Sequence, residues 1–262
     1  MMEFTRLIAS ISENGGLYGV SVTDDWLQGR TAYGGLAAAI CLESARRAIP
    51  DLPPLRSAQF SFVGPASGPL VIRSDLLRRG KSTAFVGTDL SGDAGLATRA
   101  TFCFGTARPS ALDYEECPAP EVAPPDECPG FFRHVAGLNF TQHFDGKLAA
   151  GHPPISQAGA PTMTLWLKHR DPDLQPSIVS LLALADAPPP AAAVLFSKFA
   201  PISTMTWAVD LFTDELETEN GWWLVRTAAE NATAGYSNQA MMIWNAAGKP
   251  VLAARQSIAV FQ

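Results

Sequence analysis

A chain of 262 residues that is 47% apolar and 17% charged holds core-forming material for two compact units of roughly 130 residues. Its formal charge of −6 supplies no basic field, which excludes nucleic acid and anionic membrane as principal partners. No apolar run approaches the roughly 18 residues of a membrane-crossing helix. The opening stretch MMEFTRLIASISENGG has neither a basic leader nor a long apolar segment, so no signal peptide is expected. Cys41, Cys103, Cys117 and Cys128 lack CxxC spacing and fit free thiols in a reducing cytoplasm, with a bridge between Cys117 and Cys128 as the alternative.

In chain order, residues 31–48 (TAYGGLAAAICLESARRA) predict a helix ending before Pro50. Its first turns are small and apolar nearly all round, so burial is expected. The pair Gly34-Gly35 gives up helix propensity, which points to a close backbone approach. Runs rich in β-branched and aromatic residues follow at about 56–63, 70–79, 82–91 and 95–106, separated by turn chemistry in GPASGP, RRG and SGDAG. One helix and an antiparallel meander is the predicted unit. Residues 108–130 are acidic and proline-rich with little to bury, and read as a linker, with 111–130 as its bounds between the two units.

The pattern then recurs. A strand is predicted at 161–169, a helix at 177–187 stopped by Pro188, and strands at about 202–213, 222–231, 234–245 and 250–261. The letters of SGDAGLATRATFCF (91–104) match those of 247–260 at a constant offset of 156, with Leu96 meeting Leu252 and Arg99 meeting Arg255. This implies an internal duplication of about 110 residues per unit, with units at 1–110 and 131–262. Gln256 falls opposite Ala100 in that alignment, so one unit carries an amide where the other keeps a methyl.

Three motifs are set aside. RRGKS (78–82) lacks the earlier glycine of a phosphate loop, because Asp75 stands in its place. GYSNQ (235–239) lacks the closing glycine of a nucleophile elbow and lies in a strand pattern. His134, His143, His152 and His169 show no metal spacing, and the first three, in or beside the linker, are expected to be exposed.

Taken together, YGGLAAAICLESA, LLRRGKSTAFVGTDLSGDAGLATRATFCF, LWLKHRD and LLALAD resemble type II acyl-CoA thioesterases, in order and over essentially the whole chain. The resemblance implies an α+β double hotdog: two tandem repeats, each a central helix wrapped by a curved antiparallel sheet. It implies hydrolysis of acyl-CoA to free acid and CoA without a cofactor or metal. Asp186 in SLLALAD, Gln256 in AARQSIAVF and a hydroxyl in ISTMTWAVDLF would hold the attacking water. Ser203, Thr204 and Thr206 are the candidates for the hydroxyl; keeping Trp222 of GWWLV in register with the family favours Thr206, with Thr204 second. Gly34 and Gly35 are the candidate backbone donors to the thioester oxygen. Acyl-CoA is the expected partner, and assembly into homo-oligomers is left open.

The chemistry agrees with this set. A thioester carbonyl is already activated, so a positioned water, a base and one or two donors suffice. An acid at the last turn of an apolar helix faces desolvation and the negative end of the helix dipole, and local rules broken in this way cluster at functional sites. An enoyl-CoA hydratase would need a His five residues beyond Asp186, where Ala191 stands. The remaining alternative is a non-catalytic acyl-CoA- or lipid-binding protein, for which Pro188–Pro190 would be the cause, by turning Asp186 out of line. Phe60, Phe62, Trp166, Trp207 and Phe212 are candidates to line an acyl tunnel.

Overall fold

The computed structural model describes residues 1–133 and 135–261, so His134 lies outside the described residues. The first half runs α1 (Phe4–Ala9), β1 (Ser12–Asn14), β2 (Leu17–Val22), β3 (Leu27–Gln28), β4 (Thr31–Ala32), α2 (Gly34–Ala48), β5 (Leu55–Phe62), β6 (Gly68–Arg79), β7 (Thr83–Gly92) and β8 (Gly95–Gly105). The second runs β9 (Phe144–Gly151), β10 (Thr162–His169), α3 (Ile178–Ala185), β11 (Ile202–Leu211), β12 (Trp223–Thr233), β13 (Tyr236–Asn245) and β14 (Pro250–Val260).

Twelve strands form one antiparallel sheet in the order β1-β2-β6-β7-β8-β5-β11-β14-β13-β12-β10-β9. Its centre is the pair β5–β11, where Phe60 lies opposite Trp207. Outward from that pair the two halves have the same succession: β8, β7, β6 on one side and β14, β13, β12 on the other. The segments that match at an offset of 156 therefore occupy equivalent strands, each next to the central pair.

Burial alternates with the period of a pleated strand. Ala84, Val86, Thr88 and Leu90 of β7 face inward, as do Trp207, Val209 and Leu211 of β11. Against this face lie α2 and α3. From Gly35 to Leu42 every residue of α2 is buried, and so is every residue from Val179 to Ala185 of α3. Fully burying a side chain such as Leu36 or Ile40 contributes about 1.5–3 kcal/mol. Arg46 and Arg47 complement the dipole in the last turn of α2, and Arg47 also donates to the carbonyls of Ile8 and Ile11. A capping box between Ser177 and Ser180 starts α3.

Four expectations change. The second helix ends at Ala185 with Asp186 as its C-cap, shorter than 177–187, because Pro188 to Pro190 remove the donors that would continue it. β1, β2 and β9 are strands that periodicity missed; they are short or, as in FDGKLAAG, poor in β-branched residues. The acidic linker is no bare spacer. Trp166 and Trp244, on the outer face of the second half, donate their indole N–H groups to the carbonyls of Ala123 (2.9 Å) and Cys117 (2.7 Å), and Cys128 packs beside them. Buried indoles need acceptors, and the linker backbone supplies them. Cys117 and Cys128 are both free thiols.

His143 is buried rather than exposed. Its ring stacks on Trp26 with centroids 3.6 Å apart, and Nε2 lies 3.2 Å from Asp25. Burial holds its pKa below the ordinary value despite the pull of Asp25. No helix among the described residues is long and apolar enough to cross a membrane.

Candidate active site

Asp186 stands where the C-terminal end of α3 meets the N-terminal end of α2. The dipole of α3 disfavours a carboxylate there, but the first turn of α2 offers unpaired N–H groups and the positive end of a 15-residue helix. The backbone N–H of Gly35, in that turn, favours the ionised form of the Asp186 carboxylate. The helices meet closely because both residues at the contact are glycines. A Cβ on Gly34 would lie 2.7 Å from Asp186 Oδ2, and one on Gly35 would lie 2.6 Å from the Ala183 carbonyl oxygen. The Tyr33 hydroxyl donates to that same carbonyl at 2.7 Å, satisfying an acceptor in the last turn of α3.

Gln256, on β14, donates Nε2 to Asp186 Oδ1 at 2.5 Å. Burial pushes the Asp186 carboxyl up to about 7, against the pull of the Gln256 amide and the Gly35 N–H, which stabilise the ionised form. Behind Gln256 lies Gln239 of β13, directly opposite it in the sheet. Gln239 Nε2 donates to Gln256 Oε1 at 2.5 Å, and Gln239 Oε1 accepts the Ala191 N–H at 2.8 Å. Ala191 opens a 3-10 helix, Ala191–Leu195, immediately after the three prolines. Gln239 belongs to no sequence motif, since GYSNQ is neither a nucleophile elbow nor a metal site. The available signal was two polar residues, Ser237 and Gln239, at inward positions of a strand that continues with Met241 and Ile243.

The structure separates the hydroxyl candidates, and Thr206 is not on the Asp186 side of the sheet. A β-bulge at Met205 shifts the register between Thr204 and Thr206. Thr206 pairs with Ser257 and is exposed, whereas Thr204 pairs with Ile258, which is fully buried two residues along the inward face from Gln256. One extra residue reverses the alternation, so Thr204 shares the face of Gln256 and Thr206 takes the opposite one. Ser203 is exposed. Gly34 and Gly35, the candidate donors to the thioester oxygen, both lie beside Asp186.

Two halves sharing one sheet, with an acid from one helix seated on the glycines of the other, can be set beside known families. A model of the acyl-CoA thioesterase N-terminal domain matches residues 22–105, and one of the C-terminal domain matches residues 115–260. The chain belongs to the acyl-CoA thioesterase family. No curated protein matches it. Its fold is close to a hotdog-fold protein of unknown function from Alicyclobacillus acidocaldarius (24% identity, 98% of this chain and 97% of that one, TM-score 0.89). It is also close to a putative thioesterase II from Thermobifida fusca (23%, 100% and 98%, 0.83). An acyl-CoA thioesterase II, TesB2, from Mycobacterium marinum is a third relative in structure (18%, 97% and 97%, 0.76).

Among the aromatic residues considered for an acyl tunnel, Phe60 and Trp207 face the interior and Phe62 packs against Gly34. Trp166 lies on the outer face under the linker and Phe212 is exposed, so neither lines the interior of this thioesterase-family fold. A cleft of about 540 Å³ opens at the far ends of both helices, beside Arg46 and Ser177. It does not reach Asp186, and the chemistry is not assigned to it.

Proposed function

We propose that the protein hydrolyses acyl-CoA thioesters to free acid and CoA, as a double hotdog of repeats 1–110 and 131–262 joined by 111–130. Asp186 is the general base. It takes a proton from a water held between its carboxylate and the Thr204 hydroxyl, and the water oxygen attacks the thioester carbonyl. As the tetrahedral intermediate collapses, the C–S bond breaks and the thiolate leaves with the proton from Asp186. One N–H of the Gln256 amide is committed to Asp186, and the other is available to the water. The Gly34 N–H, in the first turn of α2, is the donor to the thioester oxygen. A base of this kind contributes roughly 10²–10⁴-fold.

The observation that carries the reading is the Asp186–Gln256 contact at the junction of α2 and α3, in a chain of this family. A carboxyl titrating at about 7 suits a base that must both accept and return a proton. The three prolines support the reading: they stop α3 so that Asp186 stays at the junction with α2. Thiol release from a panel of acyl-CoAs of increasing chain length tests it. Asp186→Asn is expected to lose at least 100-fold in kcat, and the wild-type rate should fall as pH drops below about 7. Full activity in Asp186→Asn would overturn the mechanism.

A further inference from the structure

We infer that Gln239 is a positioning residue of this reaction, fixing which end of the Gln256 amide faces Asp186. The inference rests on the reading of Asp186 as the base. An amide side chain is nearly symmetric in shape, so packing alone does not choose between its oxygen and its nitrogen. Here the choice is forced from one end of a hydrogen-bonded row. The Ala191 N–H can only donate, so the Gln239 oxygen must face it. The Gln239 nitrogen then faces Gln256, the Gln256 oxygen accepts from it, and the Gln256 nitrogen is turned onto Asp186.

Both amides are almost fully buried, at 1% and 4% exposure, so bulk water does not compete for these groups. With the row intact, a donor always meets the carboxylate. Without Gln239, Gln256 is free to turn its oxygen toward Asp186, and two acceptors then face each other unless the acid is protonated. The prolines acquire a role in this row. Pro188, Pro189 and Pro190 have no N–H, so Ala191, itself fully buried, is the first residue after them that must find an acceptor.

The test compares kcat and KM across pH for the wild type, Gln239→Met and Gln239→Glu, with Asp186→Asn as the control for the base. Gln239→Met keeps the length of the side chain and removes both polar atoms. It is expected to lower kcat about 10- to 100-fold with KM within about two-fold, and to move the acidic limb upward by about one pH unit, because the carboxylate loses its steady donor. Gln239→Glu keeps the acceptor for Ala191 but, when ionised, offers Gln256 no donor. Gln256 then turns its nitrogen to the new carboxylate, and the loss should exceed that of Gln239→Met.

Thermal unfolding and near-UV circular dichroism establish that each variant is folded. If the buried charge prevents Gln239→Glu from folding, Gln239→Met alone decides. A folded Gln239→Met with unchanged kcat and an unmoved acidic limb overturns the inference. So does a loss of kcat with an unmoved limb, which is what a packing defect produces. Full activity in Asp186→Asn would instead remove the base reading and this inference with it, whereas an inactive Asp186→Asn beside an unchanged Gln239→Met sinks the inference alone.

Discussion

One row of inward side chains crosses the centre of the sheet: Thr88, Ala100 and Phe60 in the first half, then Trp207, Gln256 and Gln239 in the second. All six are at most 4% exposed. The two arms occupy equivalent strands, yet they solve burial differently. In the first, a methyl at Ala100 needs nothing, and the one hydroxyl, Thr88, is satisfied locally by Ser74 at 2.9 Å. In the second, two amides need partners on both ends, and they reach out of the sheet to Ala191 and Asp186. The second half of the sheet thus carries a polar row where α3 stops short and brings a donor, the Ala191 N–H, and an acceptor, the Asp186 carboxylate, to the two ends of the row. The helix α2 of the first half continues to Ala48 and keeps its acid, Glu43, in an ion pair with Arg47.

The sharpest way to break this contrast is to give the second arm the residue of the first. Gln256→Ala removes the donor to Asp186 and leaves Gln239 without its acceptor. It is expected to reduce kcat about 10²–10³-fold, the usual effect of deleting one well-placed donor, read as thiol release under saturating acyl-CoA. A rate within a few-fold of wild type would mean that the amide row is only packing.

A smaller effect probes the bulge on β11. Thr204→Val should cost roughly 10-fold in kcat, while Thr206→Val, on the exposed face, should stay within about two-fold. The reverse order of effects would show that the inward face is misassigned.

A separate effect concerns stability. The folded-state carboxyl of Asp186 is raised from 3.8 to about 7, so the native state holds a proton that the unfolded chain releases. Between those values stability falls as pH rises, and the penalty is complete above about 7. Asp186→Asn should therefore unfold at a higher temperature than wild type at pH 8, by up to about 4 kcal/mol in stability, with the difference vanishing below about pH 4. The first arm has no equivalent group, so Ala100→Ser should show no such pH dependence. An Asn variant equally stable at both pH values would mean that the acid is better solvated than its surroundings suggest.

Much of this was legible in the letters. The two-fold recurrence, the burial of both helices, the stop at Pro188 and the pair Asp186 and Gln256 follow from periodicity, turn chemistry and family resemblance, all of which act over short stretches of chain. What the tertiary structure decided is of another kind. The bulge at Met205 is a single residue that inverts a period-two pattern, and nothing in ISTMTWAV marks it. Gln239 joins the hydrogen-bonded row to Asp186 only because β13 lies beside β14 and the chain after the prolines comes within reach of it. The positive end that makes Asp186 tolerable belongs to a helix some 150 residues away, so no local reading of SLLALADAPPP could supply it. Local sequence decides which groups are unusual; whether their charges and hydrogen bonds are met depends on partners that only folding brings together.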